Sequence, residues 1–344
     1  MRKLLNTLFV TTPDSYLSLD GNNVVILKDG TTLFRVPVCN LEGIVCFNYM
    51  GASPKLMQYC TDNNIFISFL SPEGYFLACV SGKIRGNVLL RKAQYIMSED
   101  FEFCINISKN IIKSKIYNSR IEINRSVRDN QEKFDVTRLK HASKRLKELI
   151  YEIDNCKDFA ELRGIEGDAA RMYFSVLNDM IVQQKKDFIF KGRSKRPPLD
   201  NVNALLSFGY SLLSHDVAAA LTSVGIDPYV GFLHTDRPGR ISLALDIMEE
   251  FRATFVDRFV LTLINLRQIT KHDFIKKESN AIILTEKGRK LFLTEWQKRK
   301  QEIVAHPFLA EKIKLGLFPY VQALILSRYL RKEIEEYVPF FKRN

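Results

Sequence analysis

Val24-Val25-Ile26-Leu27-Lys28, then Asp29-Gly30, then Thr31-Thr32-Leu33-Phe34-Arg35-Val36: two β-branched, largely apolar runs meet at an Asp-Gly pair. Such side chains favour strands, and Asp-Gly accepts the positive backbone torsions of a tight antiparallel turn, so the stretch predicts a β-hairpin. Working outward, Tyr16-Leu17-Ser18-Leu19 ends at a second turn, Asp20-Gly21, and residues 43–47, 65–70 and 75–80 are further strand candidates. One helix interrupts them, with Ser53 as N-cap, Pro54 as its first residue and Asp62 near its end.

The period changes after residue 100. Isoleucines at 105, 112, 116 and 123 fall close to helical spacing, and 203–224 is a long apolar stretch closed by Gly225, a residue suited to ending a helix. Residues 131–153, 242–268 and 311–337 are further helical candidates. The expected fold class is α+β: a small β-rich N-terminal domain over 1–85, a linker over 86–100, and a larger all-α domain over 101–344. A small β domain has edges to cover, which suits 1–85 to pairing with a second copy.

Lys and Arg outnumber Asp and Glu by 51 to 39, a formal net charge of +12 in 344 residues. That excess suits a polyanionic partner, nucleic acid or an acidic membrane surface, although solubility alone also explains it. No run reaches the ~18 apolar residues of a spanning helix. Residues 1–7 are too polar and too short for a signal peptide, so a cytoplasmic protein is expected. The six cysteines, at 39, 46, 60, 79, 104 and 156, include no pair with zinc-knuckle spacing and read as reduced thiols. Lys185, Lys186, Lys191, Arg193, Lys195 and Arg196 precede Pro197-Pro198 in what reads as a mobile basic loop. Phosphate contacts fit this loop, and so does plain solvation.

His234 follows Gly231-Phe232-Leu233 and precedes the basic, turn-rich Thr235-Asp236-Arg237-Pro238-Gly239-Arg240, a place where functional side chains gather. In Ser242–Arg252, Asp246 and Glu249 are three residues apart among Leu243, Leu245, Ile247 and Met248, so they share a partly buried helix face. Buried carboxylates need partners, and a metal is one; the alternative is that Glu249 and Glu250 are solvated and pair with Arg252. Glu166 lies between Gly164 and Gly167 at what reads as the mouth of a helix, where capping by Glu166 or Asp168 is the alternative. One imidazole and two or three carboxylates suit Mg²⁺ or Mn²⁺, and such an ion supports phosphodiester chemistry.

These residues fall in ordered motifs. Arg163-Gly164-x-Glu166-Gly167, Asn203-Ala204-Leu205-Leu206-Ser207-x-Gly209-Tyr210, Gly225-x-Asp227-Pro228-x-x-Gly231-Phe232-Leu233-His234 and Ser242–Arg252 together resemble the CRISPR-associated adaptation nuclease, the integrase shared by most CRISPR–Cas systems. Lys83–Arg91, Trp296-Gln297-x-Arg299-Lys300-Gln301-Glu302, His306-Pro307-Phe308-Leu309 and Tyr329-Leu330-Arg331 extend the likeness and are similar to the subtype I-C branch. The resemblance implies that Glu166, His234 and Glu249 are catalytic metal ligands, with Asp246 an auxiliary acid. It implies a homodimer, a heterohexamer with the small second core adaptation protein, and insertion of short foreign DNA into the CRISPR array by 3′-hydroxyl attack. Arg237, Arg240, Lys191, Arg193, Lys195 and Arg196 are the expected DNA contacts. Two other readings fit the residues alone: a non-catalytic DNA-binding scaffold, and a general branched-DNA repair nuclease.

Overall fold

The computed structural model describes residues 6–71, 76–80, 82, 87–132 and 135–343. Residues 1–5, Tyr75, Lys83–Gly86 of the motif quoted above, and Lys133 lie outside the described residues. Asp29 and Gly30 have φ of 48° and 77° and close the hairpin of β3 (Asn23–Lys28) and β4 (Thr31–Pro37), with β2 (Tyr16–Asp20) on the other side of β3. A second sheet runs β1 (Asn6–Val10), β5 (Leu41–Cys46), β6 (Phe66–Leu70), β7 (Phe76–Val80). β1–β5 and β5–β6 are parallel, and α1 (Pro54–Asp62) makes the crossover that parallel strands require. Ser53 caps α1 by accepting from the Leu56 amide at 3.2 Å. Val10, Leu17, Val24, Ile44, Leu56 and Ile67 fill the core of this unit. β1 is not apparent in the sequence because its partner, β5, is distant and parallel, so no turn signal announces it.

The expected linker is a helix. α2 (Val88–Ser98) carries Gln94, buried and bonded to the Asp227 and Val230 carbonyls at 2.8 and 2.9 Å. These long-range bonds order the segment, and no local pattern reveals them. The second unit continues with α3 (Phe101–Asn130), α4 (Thr137–Asp154), α5 (Phe159–Ser175) and α6 (Asn201–Val224). Gly225 ends α6 at φ 84°, where a Cβ would also meet the Asn87 side chain at 2.7 Å. Among the described residues α6 is the one helix long and apolar enough to cross a membrane, yet 67% of that stretch is buried. The 242–268 candidate is three pieces: α7 (Ser242–Met248), a π-helical turn (Arg252–Asp257) and α8 (Arg258–Asn265).

The chain then returns to the β-rich unit, which takes in Leu284–Glu302 and Lys314–Leu317 besides the described residues up to Gly82. Its returning helix, α9 (Glu286–Gln301), is tied down by Gln297, which donates to the Thr7 carbonyl at 2.9 Å, and Arg289 lies over the Phe47 ring. The region after residue 100 is therefore not one continuous catalytic domain. α10 (Phe318–Leu330) belongs to the helical unit, and residues 337–342 run along α3. There Asn110 donates to the Tyr337 carbonyl and Asn118 to the Phe340 carbonyl. All six cysteines are free thiols.

Candidate active site

Every residue of the site lies in the helical unit. The loop before α7 packs closely on that helix at Gly231, where a Cβ would come within 2.9 Å of both Asp246 Oδ2 and Ser242 Cβ. That glycine lets the loop close on Asp246. Buried on α7, Asp246 accepts four hydrogen bonds: from the amides of Phe232 (2.7 Å), Leu233 (3.0 Å) and His234 (3.0 Å), and from His234 Nδ1 at 2.6 Å. The last bond assigns the Nδ1 proton and leaves the lone pair on Nε2. Asp246 is thus the anchor of the His234 loop.

Glu249 stands at the C-terminal end of α7, almost fully buried. Its Oε1 accepts from Arg252 at 2.7 Å, and its Oε2 lies 2.9 Å from Lys115 Nζ, an ion pair without directed hydrogen-bond geometry. Burial would raise the Glu249 carboxyl, but Arg252 and then Lys115 outweigh it and hold the pKa near about 2. Lys115, on α3, also reaches Glu166 Oε1 on α5 at 2.5 Å. Burial works against its charge, yet Glu249 and Glu166 keep the ammonium above its ordinary range. Gly164 and Gly167 lie inside α5, not at a helix mouth, and packing requires neither, since a Cβ there meets nothing within 4 Å.

Glu166, His234 and Glu249 border one cavity of about 660 Å³. Lys115, Arg171, Lys191, Arg193, Lys195 and Arg252 line it too, and Asp257 is the remaining acid of the wall. Six cations against three carboxylates make this a place for an anion. The π-helical turn directs Arg252 and Asp257 into the same wall; π segments recur at functional sites. Arg252 lies over the Tyr210 ring at 4.2 Å, and the Tyr210 hydroxyl donates to Asp257. Burial pushes Asp257 up to about 6. The basic loop is held more firmly than a mobile segment: Asn203 bonds the Gly192 carbonyl, Arg193 and the Ser194 amide. Arg237 and Arg240, on the 235–240 loop, and Arg196, on the basic loop, lie outside the cavity wall.

A family profile described as "CRISPR associated protein Cas1" matches residues 8–298. The chain belongs to the CRISPR associated protein Cas1 family. It is 46% identical over 343 residues to a CRISPR-associated endonuclease Cas1 of Chlorobaculum tepidum, covering 100% of both chains. It is 46% identical over 345 residues to another of Rhodospirillum rubrum, covering 99% of both. Among solved structures, a CAS1 protein from Thermotoga maritima superposes with a TM-score of 0.81 at 22% identity, over 98% of this chain and 100% of that one. A casposase bound to integration product gives 0.84 at 23%, over 98% and 95%. The mixed α+β fold is that of the family.

The family implies a metal, and the donor set suits one. Two carboxylates and an imidazole face a space where a cation, the Lys115 ammonium, already stands between the carboxylates. As they stand, no three His, Cys, Asp or Glu side chains among the described residues are close enough together to hold an ion.

The sequence marked Glu166, His234, Asp246 and Glu249, but not Lys115, Tyr210 or Asp257. Lys115 had a signal: it falls four residues from buried Ile111 and Ser119, on the inward stripe of α3. Glu250 is not solvated. It is fully buried and accepts from Tyr337 Oη (2.5 Å), the Phe340 amide (2.8 Å) and Gln322 Nε2 (2.9 Å). Glu250→Ala takes the acceptor from two buried donors, the Tyr337 hydroxyl and the Phe340 amide, while Gln322 keeps the Tyr337 hydroxyl and the Val338 carbonyl; it should destabilise the protein by about 2 kcal/mol or more, read as a fall in denaturant midpoint. An unchanged midpoint would show that the 337–342 segment does not depend on Glu250.

Proposed function

We propose that the chain is a metal-dependent DNA endonuclease and integrase that inserts short foreign DNA fragments into a CRISPR array. One observation carries the reading: Glu166, His234 and Glu249, brought from two helices and a loop, face a single cavity with a mainly cationic wall. The names of relatives 46% identical over their whole length support nuclease chemistry, and the casposase neighbour supports insertion. Glu166, His234 and Glu249 are proposed to hold Mg²⁺ or Mn²⁺. Bound there, the ion would acidify the attacking hydroxyl and offset charge on the phosphate.

The chain's own residues position and neutralise. Asp246 fixes the His234 tautomer, so Nε2 is a neutral donor and His234 is not the base. Arg252 and Lys115 keep Glu249 ionised. Lys191, Arg193 and Lys195 offset the phosphates on the path to the site, with Arg237, Arg240 and Arg196 contacting DNA outside the cavity. The fragment's 3′-oxygen forms a bond to phosphorus as the bond to the repeat's 3′-oxygen breaks. The attacking hydroxyl loses its proton and the leaving oxygen gains one. We further assign the chain to a subtype I-C-like system in the cytoplasm. It would form a homodimer through its β-rich unit and a heterohexamer with the small second core adaptation protein.

Two experiments test this. Strand transfer from a short duplex into a supercoiled repeat-bearing plasmid, with Mn²⁺ and the partner protein, should vanish when the duplex carries dideoxy 3′ ends. Unchanged products would mean cutting without transfer and favour the branched-DNA nuclease. Lys191→Ala with Lys195→Ala should weaken DNA binding and flatten its log–log salt dependence by roughly two, measured by fluorescence anisotropy. An unchanged slope would take both lysines off the DNA path.

A further inference from the structure

We propose that Lys115 is the resident counter-cation of the metal site: its ammonium holds the position between Glu166 and Glu249 in the metal-free protein, and a divalent ion binds there only as the ammonium withdraws. The inference rests on the metal-site reading above. Glu249 divides its oxygens between two cations of different mobility. Oε1 faces Arg252, whose guanidinium also lies over the Tyr210 ring at 4.2 Å. Oε2 faces Lys115 at 2.9 Å with no directed hydrogen bond, and Lys115 is 2.5 Å from Glu166 as well. The carboxylates are carried by different helices, α5 and the end of α7, whereas Lys115 ends a flexible four-carbon stem.

An ammonium and a divalent ion at the same two carboxylates repel strongly at such distances. Lys115 is therefore the group that must give way, and its side chain is 18% exposed toward the cavity it lines. Two consequences follow. Without metal, Lys115 keeps two close carboxylates compatible with burial. With metal, the withdrawn ammonium remains in the cavity wall as an added cation for DNA phosphate, so metal and DNA binding reinforce each other.

Calorimetric titration of Mn²⁺ into the DNA-free full chain tests this. Lys115→Met should bind Mn²⁺ about tenfold or more tightly, because the competing state is removed, while its metal-free unfolding temperature falls. Lys195→Met removes another cation of the cavity wall and should change Mn²⁺ affinity far less; equal tightening in both would reduce the effect to overall charge and overturn the proposal. If Lys115→Met does not fold, Lys115→Arg assigns the Lys115 Nζ signal in ¹⁵N-lysine-labelled wild type. That signal should shift on saturation with Mg²⁺, and a signal indifferent to Mg²⁺ would overturn the proposal. Tight Mn²⁺ binding by wild type with no gain in Lys115→Met would remove the lysine's role alone. No Mn²⁺ binding by either wild type or Lys115→Met would remove the metal site with it.

Discussion

Glu249→Gln is expected to lower Mn²⁺-dependent strand transfer by about a thousandfold or more, with DNA binding retained. The amide keeps the volume but gives up the charge that an ion needs. Glu166→Gln and His234→Ala should fall as far. Removal of a carboxylate would relieve repulsion and raise metal-free stability if the acids stood alone. The structure reverses that sign for Glu249, which neutralises Lys115 and Arg252 in a buried setting. Glu249→Ala leaves Arg252 without its carboxylate and Lys115 with Glu166 alone, and should cost about 3 kcal/mol of stability. Activity and denaturant midpoint measured on the same preparations separate the two effects. Full strand transfer in Glu249→Gln would show that this carboxylate is not a ligand.

Asp246→Ala is expected to be nearly as damaging to activity as His234→Ala. Three consecutive backbone amides and the His234 ring lose their shared acceptor at once, and the freed donors are buried or nearly so. The loop carrying His234 should loosen and its tautomer become unfixed, with a fall of about a hundredfold or more in strand transfer. A stability loss of about 3 kcal/mol should accompany it. Mn²⁺ affinity should weaken through His234, so a variant with wild-type Mn²⁺ affinity and activity would show that Asp246 does not position the loop.

Features set by neighbouring residues were legible in the sequence. Asp29-Gly30 closes the hairpin, Ser53-Pro54 starts α1, Gly225 ends α6, and the Gly231–His234 approach to a carboxylate-bearing helix marked the site. Features set by distant partners were not. Gln94 orders α2 through the backbone of a loop more than a hundred residues away. The helix after Thr285 joins the β-rich unit through Gln297 and Thr7. Glu249 and Glu250 look alike as neighbouring acids, yet one faces a cationic cavity and the other a tyrosine, a glutamine and a backbone amide. The switch from α7 to a π-helical turn separates their surroundings, and helical periodicity does not register it. Burial pushes the Glu250 carboxyl up to about 7 while neighbouring Glu249 is held near about 2. Partners, not position along the chain, decide that difference.

The most direct test is anomalous diffraction from crystals grown with Mn²⁺. A manganese peak is predicted within about 2.2 Å of a Glu166 oxygen, His234 Nε2 and a Glu249 oxygen. A peak held elsewhere, such as at Asp257, or no peak in a protein that still performs Mn²⁺-dependent strand transfer, would contradict the three-residue site.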